Sequence, residues 1–160
     1  MSGEITRVGI VAKRGLRAAG DHLGHLSSWL RDRGIEPIFE TDTGSLIDAR
    51  GETRSRDDLP RDVDLVTIDV SFISLRQILP AVTPVLRPGA DVVALVKPQF
   101  EAGRAEVRKG VIRDEAVHAR VMDEVADAGA EVGLARLAST PSPITGQKGN
   151  LEFLLHLRQR

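Results

Sequence analysis

Residues 92–103 read VVALVKPQFEAG: five apolar residues, then Lys97, Pro98 and a polar hook of Gln99, Phe100 and Glu101. Nothing in 92–96 alternates with polar residues, so the run predicts a strand buried on both faces, as inside a parallel sheet. Pro98 cannot donate to a strand ladder and ends it. Lys97 is then either the first exposed residue past a strand or a member of a site. Its neighbours decide which.

Upstream, VDLVTIDV is a second buried strand, ending near Asp69. Between the two, Ser74 suits a helix N-cap. Leu75, Ile78, Leu79, Val82, Val85 and Leu86 then recur at helical spacing, with Pro80 inside to kink the helix. RPGA, residues 87–90, turns into the next strand. Downstream, a Gly- and Arg-rich loop runs to Arg113, and Asp114 caps a helix striped with Val117, Val121, Met122 and Val125. GLARLAST reads as a strand, PSPITGQKGN as a tight loop and LEFLLHLR as the closing strand. Toward the N-terminus, residues 7–12 and 36–40 are strands around a helix over 21–33. That helix carries Leu23, Leu26 and Leu30 on one face, and Gly34 suits its C-cap. Residues 42–60 are polar and read as a long irregular connection. Strands alternating with helices predict an α/β domain of three layers, a mainly parallel sheet with helices on both faces. The last two strands have no helix between them and should pair antiparallel.

In such sheets, sites form at the carboxyl ends of the strands. Asp69 and Lys97 each end a strand, and Glu152 stands at the start of the antiparallel one, so all three belong to one edge. A lysine against a buried strand needs a partner. Spacing alone leaves two readings, a structural ion pair at the rim or a catalytic cluster.

At 160 residues the chain reads as one domain, with an ordinary 41% hydrophobic and 28% charged content. A net charge of −1 means that any nucleic-acid surface must be local. The absence of cysteine excludes disulfides and thiolate metal sites and suits a reducing cytoplasm. No apolar stretch has the length of a membrane span. DTGS, residues 42–45, matches half of an aspartic-protease signature, but those enzymes are all-β and need two copies. His22 and His25 share a helix face without a third ligand, so no metal site is expected. Trp29 is expected in the core or an interface. Arg104, Lys109 and Arg113, with Lys148, make a local basic patch beside Lys97 that suits RNA phosphates.

The motifs IDVSFISL, LVKPQFEAG and KGNLEFLL lie within residues 62–158. This part closely resembles the C-terminal half of TlyA-type (hemolysin-A-like) ribosomal RNA 2′-O-methyltransferases, in the FtsJ-like branch of the S-adenosylmethionine (SAM) enzymes. The resemblance implies a Rossmann-like, SAM-methyltransferase-like fold with SAM as cofactor and ribosomal RNA as partner. It also implies a Lys-Asp-Lys-Glu tetrad. The family's Asp falls on Asp69, its second Lys on Lys97 and its Glu on Glu152. Lys97 would then take the proton of a ribose 2′-hydroxyl, oriented by the two carboxylates, with Asp69 also beside the cofactor.

The family's first lysine, in a Ser-Arg-Gly-Gly stretch, has no counterpart here, and neither has its Asp-x-Gly-x-x-x-Gly-Gly cofactor loop. In their place RVGIVAKRG and the following helix resemble the first βαβ unit of NAD kinases over residues 5–42, without that family's Gly-Gly-Asp-Gly site. The chain therefore reads as a composite. Residues 1–47 are the kinase-like unit, 48–61 a charged linker and 62–160 the methyltransferase-like half. Glu40, ending a strand, is a candidate for the cofactor ribose, and Lys13 a candidate substitute for the missing lysine. Two alternatives to a methyltransferase derivative are a non-catalytic α/β scaffold and a nucleotide-binding module of the kinase type. Lys13, Arg14 and Arg17 would attract phosphate and repel a sulfonium cation. We expect isothermal calorimetry to give SAM a dissociation constant of about 1 mM or weaker; micromolar binding would overturn this expectation.

Overall fold

The computed structural model describes residues 5–10, 20–47, 53–55, 58, 62–103, 105–107 and 109–160. The side chains of His22, Glu40 and Asp42 lie outside that set, as do Lys13, Arg14, Arg17 and Arg104. The chain divides into two compact units, Met1–Asp64 and Leu65–Arg160.

In the N-terminal unit, β1 (Arg7–Ile10), α1 (Gly20–Arg31) and β2 (Glu36–Glu40) form a parallel crossover, registered from Arg7↔Glu36 to Ile10↔Phe39. Ile10, Leu23, Leu30 and Phe39 are buried together, with Val8, Ile35, Leu46 and Ile47 packed against them. Gly34, at φ +71°, turns the chain out of the helix, a conformation that glycine reaches without a Cβ clash. The connection expected to be irregular contains two elements. They are a short α2 (Thr41–Gly44) and β3 (Thr53–Arg54), which adds to β2 in parallel at Phe39↔Thr53. The DTGS tetrapeptide thus starts inside a helical turn. Leu26 and Trp29 are not in the core; they are 41% and 49% exposed, and the Arg33 guanidinium lies 3.9 Å from the centroid of the Trp29 ring.

The C-terminal unit is built on a sheet ordered β4-β5-β7-β6. β4 (Val63–Ile68), whose first two residues belong to the N-terminal unit, leads to α3 (Leu75–Val82), which a 3₁₀ turn joins to β5 (Leu86–Val96). α3 ends two residues after Pro80. The expected RPGA turn is part of β5, because Gly89 takes φ +79° and carries the strand past Pro88. The expectation of burial on both faces is also corrected. Ala90, Val92, Ala94 and Val96 are buried, whereas Val93 and Leu95 are only half-buried, so one face of β5 is closed and the other partly open.

α4 (Pro98–Glu101) is a single turn, followed by α5 (Glu115–Glu131). The Asp114 carboxylate caps α5 by accepting from the Ala116 amide at 2.9 Å. Of the expected stripe, Val121, Met122 and Val125 are buried and Val117 half-buried; His118 is buried as well. Finally β6 (Leu134–Pro141) and β7 (Phe153–Gln159) pair antiparallel as expected, and β7 is also antiparallel to β5, from Asp91↔Arg158 to Val96↔Phe153. Among the described residues, no helix is long and apolar enough to cross a membrane.

Midway along β5, where its register with β7 begins, the Asp91 carboxylate accepts from His156 Nε2 at 2.8 Å and Arg158 Nε at 2.9 Å. Partial burial pushes the Asp91 carboxyl up, but the hydrogen bonds and charges of His156 and Arg158 outweigh it and hold the group below its ordinary value of 3.8. A depressed folded-state value stabilises the fold above the unfolded value and is lost as pH falls through the folded one. Asp91→Asn should therefore cost roughly 1 kcal/mol near pH 6, with partial solvent screening allowed for. In urea titrations the gap to wild type should close below about pH 4.

Candidate active site

Lys97 follows Val96, and Glu152 precedes Phe153; Val96 and Phe153 are register partners. That antiparallel pairing sets both side chains at the same end of the C-terminal sheet. Asp69 follows the last residue of β4 and completes the group. Lys97 Nζ lies 2.5 Å from Asp69 Oδ1 and donates to Ser71 Oγ at 3.2 Å. The lysine side chain is 13% exposed and that of Asp69 68%, so the amine is enclosed while its carboxylate partner faces solvent. Glu152 lies outside the strand that the sequence assigned to it and is buried; its Oε1 accepts from Gln99 Nε2 at 3.4 Å. Gln99 Oε1 is buried without a protein partner.

Backbone geometry makes room for Glu152. A Cβ on Gly146 would overlap Glu152 Oε1, so the carboxylate rests against a bare backbone. Asn150, 3% exposed, holds the flanking loops together. Its Oδ1 accepts from the Ile112 amide at 3.2 Å, and its Nδ2 donates to Gly110 O at 2.9 Å and Gln147 O at 3.0 Å. The clamp brings the basic loop to the rim, and Lys148 Nζ donates to Lys109 O at 3.4 Å. His118 joins the same support, with Nε2 3.3 Å from Ile112 O and its ring 5.4 Å from that of Phe153.

Lys109, Arg113 and Lys148 are exposed. Lys109 and Arg113 line a cleft of about 860 Å³ whose floor includes Val111, Ile112 and Val117, and whose acids are Glu106 and Asp114. The patch is therefore mixed in sign rather than purely basic. Glu40 ends β2 in the N-terminal unit, and its side chain lies outside the described residues. Among the described residues no cluster of His, Asp and Glu could hold a metal ion. Sequence reasoning missed Ser71, Gln99, Glu101, Gly146 and Asn150 as site-building residues. Their signal was proximity, since each sits inside a motif already quoted or in the loop before Glu152. Gly146→Ala should displace Glu152 at a cost of about 1–3 kcal/mol. Combining it with Glu152→Ala should recover about 1 kcal/mol or more in a double-mutant cycle of urea unfolding; simple additivity would show that the two do not touch.

A family model described as FtsJ-like methyltransferase matches residues 23–159. The Bacillus subtilis protein YqxC, a candidate rRNA methyltransferase, is 55% identical over 95 residues, spanning 59% of this chain and 34% of its own. The 16S/23S rRNA (cytidine-2′-O)-methyltransferase TlyA of Mycobacterium tuberculosis is 36% identical over 166 residues, spanning 92% of this chain and 61% of its own. The chain thus spans about a third to three-fifths of these relatives' lengths. A solved structure of a candidate hemolysin from Lactococcus lactis superposes with a TM-score of 0.74 at 30% identity, covering 99% of this chain and 80% of that one. The arrangement is the α/β fold of the Rossmann-like SAM methyltransferases, and the chain belongs to the FtsJ-like methyltransferase family.

Proposed function

We propose that this chain carries the proton-handling centre of a ribosomal RNA 2′-O-methyltransferase, with Lys97 as general base. The observation that carries the reading is the enclosed amine 2.5 Å from Asp69 on the rim that Glu152 also occupies. Lys97 Nζ, in its neutral form, would take the 2′-hydroxyl proton as the ribose oxygen accepts the methyl group that SAM would supply, the neutral thioether being the leaving group. Asp69 and Ser71 hold the amine in place, and the two carboxylates stabilise the ammonium that forms. SAM supplies the electrophilic methyl group when bound. Among the described side chains, Asp69 suits it, since an exposed carboxylate favours a cationic ligand.

RNA would approach across Lys109, Arg113 and Lys148. Phe72 strengthens that reading. It is 87% exposed at φ +63°, in the loop that follows Asp69, where an apolar ring in a strained backbone suits contact with a nucleobase. The scaffold and kinase-module alternatives gain less support. The relatives align along 92% and 99% of the chain, through the stretch that resembles NAD kinase. In that light the N-terminal unit is a divergent cofactor half with weak SAM affinity. Transfer of tritiated methyl from SAM to ribosomal RNA should be detectable at millimolar SAM and fall about 10²–10⁴-fold in Lys97→Ala. Undiminished transfer in that variant would remove Lys97 from the chemistry.

A further inference from the structure

The Glu101 carboxylate is 6% exposed, and the proposed reaction does not use it. Its Oε1 accepts from the Leu75 amide at 2.7 Å and its Oε2 from Ser74 Oγ at 2.5 Å, with Arg76 Nε 3.8 Å from Oε2. Arg76 Nη2 also donates to the Glu101 carbonyl at 3.0 Å. Leu75 opens α3, so Glu101 satisfies a helix-start amide from a segment more than twenty residues away. Ser74, already capping the Arg76 amide at 3.2 Å, is the bridge.

These bonds join two specific segments. One runs from Asp69 through Ser71 and Phe72 to Ser74; the other is Lys97 and the helical turn α4 that follows it, through Gln99 to Glu101. A second contact spans the same gap, with the Phe72 and Phe100 rings 4.8 Å apart. Stability alone does not call for an acid here, because a well-packed apolar residue often serves a buried ion-pair site equally well. A carboxylate with two strong acceptor bonds instead fixes position and direction. We infer that Glu101 is a positioning residue, which sets Asp69 and Ser71 against Lys97 by fastening their segments together. The inference deepens the proposed reaction and rests on it for its consequence, but the fastening itself can be measured apart from methyl transfer.

The test is acylation of lysine amines by an N-hydroxysuccinimide ester, read by peptide mass spectrometry in wild type, Glu101→Leu, Glu101→Gln and Ser74→Ala. Thermal unfolding checks that each variant is folded. In Glu101→Leu, labelling of Lys97 should rise about tenfold while that of Lys109 and Lys148 stays unchanged. Glu101→Gln, which keeps one acceptor for the Leu75 amide, should stay near wild type. Should Glu101→Leu fail to fold, Ser74→Ala breaks one of the same bonds and should raise Lys97 labelling in the same selective way. Unchanged Lys97 labelling in folded variants, or an equal rise at all three lysines, overturns the inference. Where wild type transfers methyl groups, Glu101→Leu should lower kcat about tenfold with KM for RNA held within about twofold. A wild type that transfers none counts against the proposed reaction, and the labelling still decides the role of Glu101.

Discussion

The register of β7 against β5 is the constraint on which the rim depends. Leu155 and Leu157 are fully buried and pair with Ala94 and Val92 on the closed face of the sheet. Each contributes roughly 1.5–3 kcal/mol by its burial. A slip of one residue would turn both toward the open face and drive His156 and Arg158 into the core. Asp91 adds a polar lock, because it meets His156 and Arg158 only in this register. With β7 fixed by its core, Glu152, the residue before it, is brought to the same end of the sheet as Lys97 as a consequence of packing.

What the rim gains from this is position more than stability. An ion pair with one member two-thirds exposed adds on the order of 1 kcal/mol at most. Against it stand three non-glycine residues at positive φ, Phe72, Lys109 and Lys148. Each sits in a loop at this rim, and each costs on the order of 1–3 kcal/mol. The loops are held in those conformations by Asn150, by Glu101 and by the bare backbone at Gly146. Strain gathered at one end of a sheet, and offset by buried polar clamps, is what a preorganised site requires.

Much of this was legible before any coordinates. β2 and the helix cap at Asp114 follow directly from the residues, since local chemistry decides them. So does the antiparallel closing pair, because a loop as short as PSPITGQKGN cannot hold a crossover. The placement of Lys97 and Glu152 at one end of the sheet needed only strand direction. What stayed hidden depends on distant partners. The start of β5 was misread because Pro88 and Gly89 signal a turn wherever a neighbouring strand does not overrule them. β3 has two residues, too few to show a period, and exists because β2 offers it an edge. Val93 and Leu95 look like core residues in a list and are half-buried because only one face of the sheet is closed. Glu101 and Asn150 are polar residues whose burial follows from partners 26 and 38 positions away, and no local pattern encodes those.

Among the described residues, the contacts that build the rim lie within Leu65–Arg160: Asp69 and Ser71 on Lys97, Gln99 and Gly146 against Glu152, Ser74 and Leu75 on Glu101. The N-terminal unit has its own core of Ile10, Leu23, Leu30 and Phe39. Contacts within the C-terminal unit thus hold both Lys97 and Glu152. LVKPQFEAG and KGNLEFLL both lie within the C-terminal unit, so one core holds the two motifs in place: Val92, Ala94 and Val96 of the first strand are buried with Leu155 and Leu157 of the second.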